Sequence, residues 1–164
     1  MTPSFATADL YDVYGDRCQS CQTQFRQFGG RKVFSGRIQT IECLNDNVLV
    51  RKTLEQHSNG DVLVVDGGAH LGGALVGDMI ARLGMESGWS GLVLYGAIRD
   101  ANAIAALDIG VKALGSNPKK SGKNGVGRVN VPVAFGTVTF TPGHWLYSDD
   151  DGILVSADEL KIPA

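Results

Sequence analysis

Three charged residues in the middle of the chain have the types and the spacing of a small catalytic site. Twenty residues separate Asp78 from the adjacent pair Arg99 and Asp100. The apolar run at residues 91–98 directly precedes this pair. It predicts a buried strand that delivers both side chains to its carboxyl end, where open α/β sheets usually hold ligands. One guanidinium, two carboxylates and the free N–H groups of a nearby glycine-flanked helix start suit a divalent metal that holds a small carboxylate.

Each of these residues also has a purely structural interpretation. Asp78 and Arg82 are four positions apart, so a solvated ion pair on one helix would account for Asp78. Asp100 precedes the helical pattern at residues 101–107 and is a candidate N-cap for that helix. Arg99 alone would be an ordinary surface residue at a strand end. The residues by themselves therefore leave a catalytic role and a structural role both open.

The segments that position these residues alternate between strand and helix patterns. Strands are predicted, from apolar alternation or from short apolar runs, at residues 33–43, 61–68, 91–98 and 110–115. Helices are predicted, from apolar spacing and capping residues, at residues 7–14, 47–60, 69–88 and 102–107. Thr7 is the candidate N-cap of the first helix, and in the third the apolar stripe begins at Leu75 and Val76.

This order of elements predicts an α/β fold with a mixed β core flanked by helices. A parallel doubly wound sheet is the nearest competing interpretation. Near the carboxyl terminus, the sequence Ser-Asp-Asp-Asp-Gly lies between two apolar runs and predicts a hairpin. Its aspartates Asp149, Asp150 and Asp151 are predicted to form a solvated turn. No repeat and no interdomain linker is visible, so we expect residues 1–164 to form one domain.

Composition excludes several classes of protein. The formal net charge is -2, which lacks the strongly basic character of a nucleic-acid-binding domain. No apolar run is long enough to span a bilayer, and the first residues do not form a secretory signal. We therefore expect a cytoplasmic protein with no membrane and no direct nucleic-acid partner. The polar loop at residues 117–127 is predicted to be solvated. The alternative is that its lysines and the arginine just after it contact RNA or an acidic partner; these residues are Lys119, Lys120, Lys123 and Arg128.

The cysteines and histidines do not form a recognisable metal motif. Cys18 and Cys21 have the spacing of a redox or zinc pair, but no second pair follows and Cys43 stands alone. Structural roles are predicted for these cysteines, and an odd set argues against a secreted disulfide framework. His70 lies in the glycine-rich segment near the candidate site, so it is a candidate pocket residue.

Five blocks of the sequence resemble one protein family, in the order that the family shows. They lie at residues 29–31, 61–83, 91–100, 107–118 and 133–155. The family is that of the regulator of ribonuclease E activity A, which also contains metal-dependent 4-hydroxy-4-methyl-2-oxoglutarate aldolases. The resemblance spans roughly residues 5–160 and implies a swivelling β/β/α-type fold.

The resemblance also implies roles for the candidate residues. Members with aldolase activity carry an Asp, twenty residues and then Arg–Asp, and this pattern is complete in the chain. Asp100 is then the direct metal ligand, Arg99 is a catalytic residue that holds the substrate, and Asp78 reaches the metal through water. The substrate-binding residues implied are Gly77, Asp78, Met79, Ile80 and Arg99.

The implied activity is that of a lyase. A divalent cation, Mg²⁺ or Mn²⁺, binds the 2-oxo acid and stabilises the pyruvate enolate that forms when the C–C bond breaks. Oxaloacetate decarboxylation passes through the same enolate and is expected as a side activity. The resemblance further implies a homotrimer or a dimer of trimers, with a further acidic residue that some members supply from a neighbouring subunit. The alternative is a non-catalytic inhibitor of ribonuclease E, because regulatory members of the family can lack the carboxylates.

Overall fold

The computed structural model of the protein describes residues 4–163. The helices are α1 Thr7–Tyr14, α2 Val48–Leu54, α3 Asp78–Glu86 and α4 Ala101–Ala105, with a 3₁₀ turn at Gly15–Arg17. No helix within the described residues is long and apolar enough to cross a membrane. The strands are β1 Cys18–Ser20, β2 Arg26–Gln27, β3 Phe34–Glu42, β4 Val62–Val76, β5 Gly91–Ile98, β6 Gly110–Ser116, β7 Arg128–Val129, β8 Val133–Phe135, β9 Val138–Phe140, β10 Trp145–Asp149 and β11 Gly152–Ser156.

A mixed sheet organises the chain into a single α/β domain. Its strand order is β1-β11-β10-β3-β4-β5-β6-β2, with β7 paired to β3. The central strands β3, β4, β5 and β6 are parallel, and the strands outside them pair antiparallel. Each of α2, α3 and α4 connects two consecutive parallel strands, as short crossover connections do. The prediction of a mixed sheet flanked by helices is confirmed, and the fully parallel alternative is wrong.

The side chains of β4 alternate between two buried faces, which explains its unbroken apolar run. Leu63 and Val65 belong to the core beneath α2, α3 and α4. Val62 and Val64 pack on the opposite side, where the two-stranded β8–β9 ribbon covers the sheet with side chains such as Phe140. A strand that is covered on both faces needs apolar residues at every position.

The boundary between β4 and α3 differs from the prediction. Leu75 and Val76 are buried strand residues, and α3 begins only at Asp78. The register between β4 and β5 shifts three times between Asp66 and Val76. These bulges interrupt the alternation of apolar and polar residues that marks a strand. The apolar residues after the bulges then match a helical spacing by coincidence. The predicted start of the helical stripe is therefore wrong.

Two other helix ends also differ from the prediction. Helix α2 ends at Leu54 and does not continue to residue 60. The N-cap of α1 is Ala6, and Thr7 is the first helical residue. The Thr7 backbone N–H and hydroxyl instead donate to the carboxylate of Asp149, each at 2.7 Å. The start of α1 is therefore fixed by a residue from the other end of the chain.

The strands β10 and β11 form the predicted hairpin, but its first aspartate is not solvated. Asp149 is only 8% exposed. Besides the two donors of Thr7, its carboxylate accepts the N–H of Asp151 at 3.0 Å. The prediction of a solvated turn is wrong for Asp149 because this carboxylate serves as the buried anchor of α1, whereas Asp150 and Asp151 are exposed.

Candidate active site

The sheet register brings the two halves of the charged motif together. Val76, the last residue of β4, pairs with Ile98, the last residue of β5. The N–H of Arg99 donates to the carbonyl of Val76 at 2.9 Å, so the chain segments that follow the two strands start side by side. Asp78 and Asp100 occupy these two segments at the carboxyl edge of the parallel strands. Their long separation in sequence is the length of one helix and one strand.

The backbone of Asp100 has an unusual conformation that sets the direction of its side chain. Its φ of 59° and ψ of 44° lie in the left-handed region, which non-glycine residues seldom occupy. Its carboxylate makes no capping hydrogen bond to α4. Instead, Oδ2 accepts the backbone N–H of Asp78, at the start of α3, at 3.1 Å. Asp100 thus occupies the N-cap position of α4, as the structural interpretation had it, but its side chain does not cap that helix.

Gly77 leaves the space that Asp100 needs. A Cβ added at Gly77 would lie 2.7 Å from Oδ2 of Asp100 and 3.4 Å from Cγ and Nε of Arg99. A contact of 2.7 Å is shorter than real Cβ atoms tolerate. The need for glycine at this position comes from close approach to the two charged side chains.

A cavity of about 110 Å³ opens at this edge of the sheet. Its lining residues are Asn47, Arg51, Ala74, Gly77, Asp78, Met79, Ile80, Arg99, Asp100, Lys120 and Lys123. All of the predicted site residues line it: Gly77, Asp78, Met79, Ile80, Arg99 and Asp100. His70, the candidate pocket residue, lies in the bulged part of β4 and does not line this cavity.

Two backbone N–H groups at the start of α3 are available to bind an anion. The N–H groups of Met79 and Ile80 have no hydrogen-bond acceptor within residues 4–163, whereas that of Ala81 donates to Gly77 at 3.0 Å. The first N–H groups of a helix lack partners within the helix and carry a partial positive charge. Together with the Arg99 side chain, they give the cavity donors for a small carboxylate or a developing negative charge.

The Arg99 guanidinium is held by one carbonyl and forms a long ion pair with Asp100. Its Nη1 donates to the carbonyl of Pro118 at 3.5 Å, and its Nε lies 4.0 Å from Oδ2 of Asp100. The Arg99 and Asp100 side chains are 38% and 41% exposed, so both remain accessible to a ligand. Asp78 forms no ion pair with Arg82 within the described part of the chain. The interpretation of Asp78 as half of a helix-surface ion pair is therefore wrong.

The residues of the cavity fit a hard divalent cation with an open coordination shell. The Asp100 carboxylate is half-exposed, and Gly77 keeps the space beside it clear. No cluster of three His, Cys, Asp or Glu side chains able to hold a metal occurs within residues 4–163. One carboxylate, a second nearby and room for water and substrate suit Mg²⁺ or Mn²⁺ better than a closed zinc site.

Sequence reasoning missed five residues of the cavity: Asn47, Arg51, Ala74, Lys120 and Lys123. Asn47 and Arg51 lie one turn apart at the start of α2, and Lys120 and Lys123 belong to the loop that was predicted to be merely solvated. Only the proximity of the loop to β4 reveals the role of the lysines. For Asn47 and Arg51, a signal was present: a spacing of four residues places two polar side chains on one helix face.

The basic loop is exposed but attached to the sheet on both sides of its lysines. Ala74, in β4, donates to the carbonyl of Lys119 at 2.7 Å and accepts the N–H of Ser121 at 3.1 Å. Gly122 donates to the carbonyl of Asn45 at 2.8 Å. These backbone contacts hold Lys120 in a fixed position beside the cavity.

Asp46 anchors the other side of the loop. This carboxylate is 3% exposed and accepts the N–H groups of Val48 at 3.1 Å, Asn124 at 2.5 Å and Gly125 at 3.1 Å. Burial by itself would raise the pKa of Asp46, but these backbone donors outweigh it and hold the pKa below its usual value. Asp46 therefore fixes Lys123 and the start of α2 with one side chain.

The three cysteines lie away from this chemistry. All are buried and free. Burial raises the pKa of each thiol, and for Cys43, near the carboxylates of Asp46, Asp66 and Glu42, the pKa is raised to about 12. Thiols with raised pKa values remain protonated and unreactive at neutral pH.

Comparison with known proteins identifies the family. The family model for RraA-like proteins, described as Aldolase/RraA, matches residues 7–155. The chain belongs to the RraA-like family. Two solved structures of this fold have TM-scores of 0.93. One, from Thermus thermophilus and described as the RNA-processing inhibitor RraA, is 42% identical over 97% of this chain and 96% of its own.

The second RraA-like structure with that TM-score carries a different description. It is 44% identical, covers 94% of this chain and 96% of its own, and is described as an S-adenosylmethionine:2-dimethylmenaquinone methyltransferase from Geobacillus kaustophilus. Streptomyces coelicolor RraAS2, described as an unusual member of the RNase ES inhibitor RraA family, is 27% identical, with a TM-score of 0.72 over 94% of this chain and 79% of its own. Relatives within one fold thus carry different functional names.

Proposed function

We propose that the protein is a divalent-metal-dependent aldolase that cleaves 4-hydroxy-4-methyl-2-oxoglutarate, with oxaloacetate decarboxylation as a side activity. The observation that carries this proposal is the convergence of Asp78, Arg99 and Asp100 on one small cavity with two unpartnered backbone N–H groups. Such a set supplies a metal ligand, a fixed cation and anion donors, which are the groups that stabilise an enolate.

Asp100 would hold the cation directly, and Asp78 would hold it through water. When bound, a divalent cation acts as a Lewis acid on the 2-oxo group and its neighbouring carboxylate. The open side of the Asp100 carboxylate and the space kept by Gly77 support this assignment. Mg²⁺ and Mn²⁺ both tolerate several water ligands and suit such a site.

Arg99 and the start of α3 orient the substrate. The Arg99 guanidinium, held by the Pro118 carbonyl, donates to the 2-oxo oxygen and stabilises the charge that develops there as the C–C bond breaks. The N–H groups of Met79 and Ile80 bind the carboxylate next to it. Because these donors are fixed by the fold before substrate arrives, no reorganisation opposes the reaction.

Asp78 assists the proton transfer that starts the cleavage. Its carboxylate, at the first position of α3 and lining the cavity, orients a water molecule that takes the proton from the 4-hydroxyl group. Loss of this proton lets the C3–C4 bond electrons move into the pyruvate unit. Oxaloacetate needs no such base, because carbon dioxide leaves from an already ionised carboxylate.

The size of the cavity favours a small substrate over a nucleoside cofactor. Pockets that enclose drug-sized ligands have volumes of roughly 300–1,000 Å³, whereas this cavity measures about 110 Å³. A 2-oxo acid of four to six carbons is the better match for the cavity.

The test is pyruvate release from both substrates, with Mg²⁺ and with EDTA. Turnover is expected to require the metal and to fall at least about a hundredfold in Arg99→Ala and Asp100→Asn proteins. Asp158→Asn, which changes an exposed aspartate outside the cavity, is the matched control and keeps full activity. Metal-independent turnover, or equal activity in all variants, would contradict the proposal.

A second candidate function is inhibition of ribonuclease E. The observation that favours it is the 42% identity, over nearly the whole chain, to a protein described as an RNA-processing inhibitor. Binding would occur through surface contacts, so Asp100→Asn should leave inhibition of RNA cleavage by the purified nuclease unchanged. Absence of both binding and inhibition at micromolar protein would exclude this function. The two activities are compatible, since a fold does not determine a single function.

The assembly that accompanies either function is proposed to be a homotrimer or a dimer of trimers in the cytoplasm. This assembly is implied by the family resemblance, and the exposed Met79 at the cavity would be available to contact a neighbouring subunit. Sedimentation equilibrium of the purified protein tests the assembly. A monomer at all concentrations would exclude it.

A further inference from the structure

The cavity carries more positive charge than the proposed chemistry uses. Four cationic side chains line it together with two carboxylates: Arg51, Arg99, Lys120, Lys123, Asp78 and Asp100. A divalent cation balances the two carboxylates, and Arg99 serves the 2-oxo group. Three cations then remain for a substrate in which the 2-oxo acid itself brings only one negative charge. Of these, Arg51 is paired through its Nε with Glu55, and the two lysines have no counter-ion within residues 4–163. This excess predicts a second anionic group on the substrate.

Arg51 has the geometry to bind such a group. Helix α2 buries Val50 and Leu54 against the core, and this orientation leaves Asn47 and Arg51 on the side that lines the cavity. The Nε of Arg51 donates to Oε1 of Glu55 at 3.3 Å, and its two terminal nitrogens have no partner within residues 4–163. The unpartnered edge of a guanidinium matches the two oxygens of a carboxylate.

The two lysines are fixed beside the same cavity. Lys120 lies between residues 119 and 121, which both hydrogen-bond to Ala74 in β4. Lys123 lies directly before Asn124, whose N–H is held by the buried Asp46. Neither lysine forms an ion pair within the described residues. The backbone at both lysines is therefore ordered before an anion binds, so that only the side chains remain to be ordered.

Arg51 also lies at the border between the charged cavity and a neighbouring cleft. It lines a second cleft of about 240 Å³ between α2 and α3, whose walls include the apolar side chains of Met79, Ile80 and Leu83. A carboxylate at Arg51 therefore lies where the charged region meets an apolar one. The rest of this cleft adds one cation, Arg82, and one anion, Glu86, to its lining. It therefore lacks the excess of positive charge that the cavity has.

We propose that Arg51, supported by Lys120 and Lys123, forms a second anion subsite that binds the distal carboxylate of a dicarboxylic 2-oxo acid and selects it over monocarboxylic ones. This inference rests on the proposed function, because it assigns the first carboxylate and the 2-oxo group to the metal, Arg99 and the start of α3. Arg51 is then a specificity-determining residue: it contacts the substrate but not the bond that breaks.

Two unreactive acids of equal chain length isolate the subsite. 2-Oxoglutarate and 2-oxopentanoate differ only in a distal carboxylate or methyl group, and neither carries the 4-hydroxyl group that cleavage needs. With Mg²⁺ present, calorimetry on the unaltered protein should show roughly tenfold tighter binding of 2-oxoglutarate. In Arg51→Met this ratio should fall to within about twofold to threefold, while the affinity for 2-oxopentanoate stays unchanged.

Arg82→Met is the matched control, since Arg82 is an exposed arginine on the neighbouring helix that lines only the apolar cleft. It should leave the binding ratio unchanged. An unaltered ratio in Arg51→Met, an equal decrease in Arg82→Met, or no binding of either acid would overturn the subsite. Turnover is judged separately: binding selectivity that depends on Arg51 without any pyruvate release would contradict the aldolase proposal alone.

Discussion

Two aspartates, Asp100 and Asp149, have opposite surroundings although both lie where a strand ends. Asp149 is 8% exposed and accepts hydrogen bonds from Thr7 and Asp151. Asp100 is 41% exposed at its side chain and accepts one hydrogen bond, from the N–H of Asp78. A carboxylate whose acceptor sites are occupied by the fold contributes to stability. One that keeps most of them available can bind a cation or a substrate.

The cations near these aspartates differ in the same way. The Lys112 ammonium, beside Asp149, is buried and donates to the carbonyls of Asp149 and Gly152 at 2.5 and 3.2 Å. Burial lowers the pKa of Lys112, and the carboxylate of Asp149 opposes this only in part. Arg99, beside Asp100, is 38% exposed and makes one long contact to a carbonyl. The hairpin thus surrounds its buried charges with hydrogen-bond partners, whereas the cavity leaves its charges largely exposed.

Replacement of Asp100 should give the largest effect on turnover. Asp100→Asn keeps an acceptor for the Asp78 N–H, and asparagine tolerates left-handed backbone, so folding should be nearly unaffected. Removal of the charge should lower metal-dependent pyruvate release at least about a hundredfold. Thermal unfolding and steady-state kinetics on the same sample check both statements. If Asp100→Asn lost much of its stability while its folded fraction turned over substrate normally, Asp100 would be a structural residue like Asp149 and not a ligand of the metal.

Replacement of Asp149 should give the largest effect on stability. Asp149→Ala leaves the N–H and hydroxyl of Thr7 without an acceptor and removes the carboxylate that most favours the charge of Lys112, at a cost of about 2–4 kcal/mol. Turnover per folded molecule should stay within about twofold, because the hairpin does not line the cavity. Urea unfolding measures the loss. Asp158→Ala, at an exposed aspartate beyond the hairpin, is the control and should change stability by less than about 0.5 kcal/mol.

A methyl group at Gly77 tests whether the open space beside Asp100 matters. In Gly77→Ala the new Cβ would lie 2.7 Å from Oδ2 of Asp100, so the carboxylate must move. Turnover is expected to fall roughly tenfold to a hundredfold, since small displacements of catalytic groups have effects of this size. Gly115→Ala serves as the control, because its Cβ would meet Leu71 at an ordinary 3.9 Å. Equal activity of the two variants would show that the position of Asp100 is not critical.

The sequence predicted the parts of the site that depend on local pattern. The apolar runs located β5 and the first part of β4, and the end of β5 places Arg99 and Asp100 at the carboxyl edge of the sheet. The meeting of Asp78 with this pair was implied by the family resemblance, because the bulges of β4 hid the true end of that strand. The alternation of helix and strand also predicted the mixed sheet. These inferences need only the periods of strands and helices and the rules of strand connection.

Prediction from the sequence failed where contacts between residues far apart in the chain determine burial and position. The burial of Asp149 depends on Thr7, which lies 142 residues away. The positions of Lys120 and Lys123 depend on hydrogen bonds to Ala74 and to the carboxylate of Asp46. No local pattern encodes such contacts, so a run of aspartates and a basic loop both looked like solvated surface.

Strong acid should loosen the basic loop, because Asp46 holds the loop through its charge. The pKa of Asp46 is lowered in the folded protein, so its contribution to stability is complete above the unfolded value of about 3.9 and is lost as the pH falls through the lower folded value. Asp46→Asn should therefore flatten the dependence of unfolding free energy on pH below about pH 4. It should also weaken 2-oxoglutarate binding by a small factor at neutral pH, about twofold to threefold, since Lys123 and the start of α2 are less well fixed. If the unfolding free energy of Asp46→Asn depends on pH as strongly as that of the unaltered protein, Asp46 does not control the loop through its charge. The backbone hydrogen bonds of Ala74 would then be what holds the loop beside the cavity.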